Sequence, residues 1–319
     1  MMNKLLLIVS IFLQLNLLTA QTTEGISTVE ANLDLIKAEV PKKDSVKIKN
    51  WKTTGVFNFS ANQSTFNNWF AGGNNNISFI SGINYDFNYK KNTWLWDNKI
   101  ILGYGLSQNE GQKTVKTDDR IELNSIIGKQ ASKNWSYTFF GNFRTQFTDG
   151  FNLAKDPNDK FRTSTFLAPG YLTFGPGFMW KKSDKLFFNL APVTSKMTII
   201  SQKIYTFDAL SNPIPNNMID VFGVKANESL RYELGFFASA FYEFNLMENI
   251  SIKNSLALYS NYLEKPENVD LDYTALINMK INKYLATSFT FQMIYDDNAF
   301  RGLQTRQILG VGLNYNFTK

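Results

Sequence analysis

The 319-residue chain contains no cysteine and no histidine. The first absence removes disulfides and any lipid-bearing cysteine. The second removes the imidazole of a Ser-His-Asp arrangement and most zinc centres. After the apolar leader, no stretch approaches the roughly 20 consecutive apolar residues of a membrane-spanning helix. Basic residues outnumber acidic ones by 33 to 27, a formal charge of +6. They are scattered rather than clustered, so the chain shows no nucleic-acid footprint.

The leader combines Lys4, the apolar run Leu5 to Leu18, and Thr19-Ala20 before Gln21. This pattern predicts a signal peptide over 1–20. A retained anchor is the alternative, but the apolar run is short for a spanning helix. Residues 21–50 are polar and charged and are expected to form a periplasmic N-terminal lead-in. A short helix is expected around Thr28 to Val40, ended by Pro41-Lys42-Lys43-Asp44.

Aromatic residues, by contrast, are abundant, with 28 Phe, 14 Tyr and 6 Trp. They fall on strand-length segments that alternate apolar and polar residues, the period of a strand with one greasy and one polar face. Over 304–317, Leu309, Val311, Leu313, Tyr315 and Phe317 share one face, while Arg306, Gly310, Gly312, Asn314 and Asn316 make up most of the other. Over 75–90, Ile77, Phe79, Ile83, Tyr85, Phe87 and Tyr89 oppose Asn76, Ser78, Asn84, Asp86 and Asn88.

Twelve such segments can be marked, at 52–61, 75–90, 93–107, 117–130, 133–147, 167–181, 185–199, 229–245, 248–262, 268–281, 284–297 and 304–317. Their connections alternate strictly between short and longer. This is the asymmetry expected of periplasmic turns and extracellular loops in an up-and-down membrane barrel. The predicted fold is therefore all-β, a transmembrane β-barrel of twelve strands over 51–319, in the outer membrane with both termini periplasmic. A short first strand and the broken alternation around Pro192 leave ten or fourteen strands open. A secreted β-sandwich would also alternate, but it accounts poorly for the aromatic placement and the loop-length pattern. One aromatic belt is expected at Phe87, Tyr89, Trp94, Trp96, Trp135, Tyr137, Trp180, Tyr242, Phe244, Tyr315 and Phe317, and a lighter one at Phe147, Tyr273 and Tyr295.

The entry segment Trp51-Lys52-Thr53-Thr54-Gly55 and the stretch Asn68-Trp69-Phe70-Ala71-Gly72-Gly73 resemble an uncharacterised outer-membrane β-barrel family of Bacteroidota, known only as a domain of unknown function. The resemblance extends over 50–319. It implies an exported β-rich protein and supplies no reaction and no catalytic residue.

With the polar faces turned inward, the outer half of the lumen would collect Arg120, Glu122, Arg144, Arg231, Glu233, Asp270, Asp272, Asp296 and Arg306. Asp97, Lys99 and Lys253 would lie nearer the periplasm. Such a charge cluster is either a selective constriction or interstrand ion pairing that closes the lumen, and the cost of an unpaired buried charge favours the second. Asp149, Asp156 and Asp159 have oxygen ligands to offer calcium, but turn formation explains them more simply. Trp69, Phe70, Ile214, Met218 and Phe222 are the candidate lid or partner contacts. No catalytic residue, metal ligand or cofactor site stands out. The expected function is non-enzymatic: a structural or accessory subunit of an envelope complex, surrounded by outer-membrane lipid and bound to another envelope protein. The alternative is a small pore or carrier for a polar or amphipathic small molecule.

Overall fold

The computed structural model describes residues 50–65, 74–282, 285–298 and 300–318. The leader, nearly all of the lead-in with its expected helix, and Trp69 and Phe70 lie outside the described residues. The chain forms β1 (Trp51–Ser64), β2 (Asn76–Lys91), β3 (Trp94–Asn109), β4 (Val115–Gln130), β5 (Trp135–Thr145), β6 (Gly150–Phe151), β7 (Arg162–Ser164) and β8 (Gly170–Ser183). It continues with β9 (Leu186–Ile199), β10 (Tyr205–Phe207), β11 (Pro213–Pro215), β12 (Leu230–Met247), β13 (Ile250–Asn261), β14 (Val269–Lys280), β15 (Leu285–Asp296) and β16 (Phe300–Thr318).

Twelve of these strands close into one barrel in the order β1-β16-β15-β14-β13-β12-β9-β8-β5-β4-β3-β2. Each neighbouring pair is antiparallel, and the seam runs from Thr54↔Thr318 to Ser60↔Gly312. All twelve expected segments are strands of this barrel. β1, expected to be short, is 14 residues long. The four remaining strands form two small hairpins, β6 with β7 and β10 with β11, within the two longest loops.

The sidedness is inverted relative to a water-soluble protein. Glu122, Glu233, Asp272 and Lys253 are buried, while Phe139, Tyr137, Leu309 and Val311 are 48%, 60%, 66% and 56% exposed. A continuous apolar exterior on a closed barrel is stable only against lipid, and closure leaves no unpaired strand edge in the hydrocarbon. This is an outer-membrane-type barrel. The short-turn rim carries the heavy aromatic belt. Trp51 packs on Tyr89 (5.1 Å between centroids) and Trp96 (5.7 Å), Trp180 stacks on Phe188 (5.2 Å), and Tyr242 stacks on Phe244 (5.3 Å). Polar atoms on the lipid face pair with one another: Trp96 Nε1 donates to Ser125 Oγ (2.9 Å), and that hydroxyl donates to Asn98 Oδ1 (2.8 Å).

Candidate functional site in the lumen

Strand register sorts the inward side chains into levels. Nearest the long loops, Lys196 of β9, Glu233 of β12, Asp270 of β14 and Asp296 of β15 converge, all buried. Lys196 Nζ lies 3.2 Å from Asp270, 3.5 Å from Glu233 and 4.0 Å from Asp296. It also stands 4.8 Å from the ring centroid of Tyr259. Tyr259 fits against Gly235, where a β-carbon would stand 2.9 Å from the phenol oxygen. Glu233 Oε1 accepts hydrogen bonds from Arg231 and from Asn261, each at 3.1 Å. Asp272 accepts from Gln292 Nε2 at 3.0 and 3.2 Å. Asp270, Asp296 and Asp297 bring carboxylate oxygens within 4.8 Å of one another. The Lys196 ammonium already supplies positive charge among them.

A second group lies on β4 and β5. Glu122 Oε1 accepts from Asn124 (2.8 Å) and Asn142 (3.3 Å), and Arg120 stands 3.9 Å from the other oxygen. Arg144 lies over the ring of Tyr171, 4.9 Å from its centroid.

Below the charges the lumen is crossed by an apolar septum. Phe140 and Phe237 stack at 4.9 Å and 20°, packed with Ala191, Ala257 and Tyr259. Phe187 and Phe241 stack at 5.3 Å on the short-turn side. In the short-turn half a cavity of about 90 Å³ opens against Phe140, Phe187, Phe237 and Met179, with Lys99 and Lys181 among its polar lining.

The sector from β15 through β16, β1 and β2 to β3 is different. Its inward positions include Ser288, Gly310, Gly312, Ser60, Gly82, Gly103 and Gly105. Two larger inward residues there, Asn58 and Arg306, are exposed to water although they face the lumen. The lumen is thus packed with large side chains on one side, while the other side carries smaller ones with Asn58 and Arg306 exposed among them.

The long loops form a cap. Ala168, Ile200, Ile204 and Val224 make a small core, with Val221 and Phe222 packed against it. Phe161 meets Tyr205 edge-on at 5.0 Å, and Arg162 donates to Lys203 O and Gln202 Oε1. Arg231 ties the cap to the barrel, donating to Gly223 O, Asn298 and Glu264. On the cap surface, the side chain and backbone of Asn212 donate to Asp208, holding its carboxyl below the usual carboxylate range.

The nine charged residues marked from the sequence all face the lumen by register, but they divide into separate groups rather than one ring. Lys196, the hub of the larger group, was not among them. A register shift between Phe174/Phe178 and another between Gly235/Phe237 bracket Pro192, and the alternation of β9 changes phase there. Counting from Phe187, Asn189 and Ala191 and allowing one extra residue would have found Thr194, Lys196 and Thr198. Among the lid candidates, Ile214 sits in β11, Phe222 packs into the cap core, and Met218 is 72% exposed. Asp149 pairs with Arg162, Asp156 accepts from Phe161 N, and Asp159 pairs with Lys113, so each serves loop structure.

A family of proteins of unknown function (DUF3078) matches residues 61–151, from the end of β1 into the first long loop. No curated protein matches the chain. Among solved structures, an outer membrane channel from Pseudomonas putida F1 is similar at a TM-score of 0.39 and 7% identity, covering 89% of this chain and 100% of that one. The NanC porin aligns at a TM-score of 0.36 and 6% identity, covering 83% and 99%. The translocator domain of the autotransporter NalP from Neisseria meningitidis aligns at 0.30 and 10% identity, covering 84% and 89%.

Proposed function

We propose that this barrel is a narrow, non-enzymatic passage for a small polar or amphipathic solute across the outer membrane. The observation that carries the reading is the exposure of the lumen-facing Asn58 and Arg306 on a wall where Gly and Ser recur among Ile80, Ile308 and Gln292. A lumen sealed throughout would bury both. The solute would follow this wall, past the fixed charges of the filled side, which set selectivity as charged rings do in other pores. The short turns would face the periplasm, and the cap would face outward. The leader over 1–20 would direct export.

The test is conductance in planar bilayers and solute-driven swelling of liposomes. A β-carbon at residue 310 meets nothing closer than Ser288 Oγ at 3.6 Å, so Gly310→Phe narrows the passage without striking the backbone. Gly141, on the lipid face, has nothing within 4 Å of its would-be β-carbon, so Gly141→Phe is the matched control. A small wild-type conductance, reduced several-fold by Gly310→Phe and unchanged by Gly141→Phe, supports the passage. No conductance in any form, or equal effects of the two variants, rejects it.

A second reading, an accessory subunit bound to another envelope protein, draws on Leu210 and Met218, which stand 84% and 72% exposed on the cap. Photo-crosslinking from Met218 in intact cells tests it. Intermolecular products would favour this reading.

A further inference from the structure

We infer that the short-turn rim of β2, β3 and β4 holds the headgroup of an anionic glycerophospholipid, of the phosphatidylglycerol kind, on the outer face of the barrel. The inference does not depend on whether the lumen conducts. Three features carry it.

The first is a row of side chains set by strand register. Lys91 of β2 stands opposite Trp94 of β3, Trp94 opposite Lys129 of β4, and Lys129 opposite Tyr137 of β5. Residues directly opposite one another project from the same face of a sheet. Trp94 and Tyr137 are outward and exposed, and so are Lys91 and Lys129. The next outward row toward mid-membrane is Tyr89, Trp96, Ile127 and Phe139, without a charge. Cations thus begin where the hydrocarbon-facing row ends. Aromatic belts mark that depth as the headgroup level, where an outward lysine costs little and meets lipid phosphate.

The second is convergence. Neighbouring strands lie about 4.8 Å apart, so the two lysine stems flank Trp94 with about 10 Å between them. Lys129 already leans over the indole, with Nζ 5.7 Å from the ring centroid. One phosphate at the edge of Trp94 therefore lies within reach of both ammonium groups. Lys133, exposed in the turn after β4, adds a third cation at this rim. Gln130 Nε2 donates to Lys133 O at 3.2 Å and ties that turn to the strand.

The third is the missing counter-charge. Among the described residues, Lys91, Lys129 and Lys133 form no ion pair. At the long-loop end, by contrast, Lys113 pairs with Asp159 and Arg162 with Asp149. The acidic residues nearest in β2 and β3, Asp86 and Asp97, line the cavity inside the barrel instead. A headgroup ammonium, as in phosphatidylethanolamine, would meet cations and no outward carboxylate here. A headgroup with phosphate and hydroxyls only fits the charge, and anionic lipid is drawn to such lysine clusters.

Native mass spectrometry of the full-length barrel from detergent micelles tests this. The probes are equimolar phosphatidylglycerol and phosphatidylethanolamine with identical acyl chains. Phosphatidylglycerol adducts should exceed phosphatidylethanolamine adducts at least about five-fold. The double variant Lys91→Gln/Lys129→Gln should bring the ratio close to one. Lys52→Gln/Lys280→Gln removes the same charge at the same end, but from side chains that face the lumen by register, and should leave the ratio unchanged. Lys91→Arg/Lys129→Arg keeps both cations, should keep the preference, and guards against a Gln variant that fails to fold. Equal binding of the two lipids by the unaltered protein overturns the site. So does a preference that survives Lys91→Gln/Lys129→Gln, or one lost as fully in the lumen-facing pair or the arginine pair. Lipid adducts are read without flux, so a barrel that fails to conduct keeps this site and loses only the passage.

Discussion

Lys196 reaches Asp270 across the lumen: the two lie on β9 and β14, three strands apart around the wall, with 3.2 Å between Nζ and Oδ2. The contact is a chord rather than a neighbour-to-neighbour rung. It fixes the curvature of the β9–β14 sector and fills its upper half.

Lys196→Met would leave Glu233, Asp270 and Asp296 buried around an apolar side chain. Removing one partner of a buried ion pair typically costs about 3–5 kcal/mol, and a loss of this order is expected in urea-induced unfolding from lipid vesicles. Adding Asp270→Asn should recover part of it. Additive losses in the double variant would show that the two groups are not coupled.

Opposite faces of one wall should respond in kind. Leu123 is mid-strand on β4 and 42% exposed to lipid, so Leu123→Arg should cost about 2–4 kcal/mol. Asn84, inward on β2 beside Ile101, should tolerate Ser with little change. The same vesicle unfolding assay decides, and equal costs would mean the facing is wrong.

The septum should act as a resistance. Phe237→Ala removes the ring stacked on Phe140 and joins the lower cavity to the space under Lys196. Single-channel conductance should rise, while the stability cost stays within the about 3–5 kcal/mol of a buried Phe→Ala change. A fall in conductance, or none, would place the current path wholly along the Gly and Ser wall.

The cap depends on one backbone position. Gly223 has φ +75°, and a β-carbon there would collide with the Arg231 guanidinium. Gly223→Val should release Arg231 from Gly223 O and Asn298, and limited proteolysis should then cut the 200–229 loop faster while the barrel remains intact. Unchanged cleavage would show that the cap is held by its own apolar core.

The strands were legible because each outward face must meet lipid along its whole length, so the period persists through β2 and β3. The nine lumen charges followed from the same period. Lys196 did not, because the irregularity at Pro192 shifts the phase of β9 by one residue. The septum was hidden for a different reason: Phe140 and Phe237 are apolar residues on a polar face, and only their meeting across the barrel gives them meaning. The docking of Phe161 on Tyr205 joins two aperiodic loops, where local pattern carries no information about distant contacts.

The seam between β1 and β16 has a consequence for assembly. Ser60 Oγ donates to Val311 O across 251 residues of chain, so the first hairpin cannot complete its hydrogen bonding until the last strand arrives. Until then β1 presents an open edge, the state in which strands aggregate. Contacts of such long sequence separation form late and slowly. Synthesis order and membrane insertion are thereby coupled: this wall becomes continuous in a single terminal step, and a chain lacking β16 would be a sheet with two live edges rather than a smaller barrel.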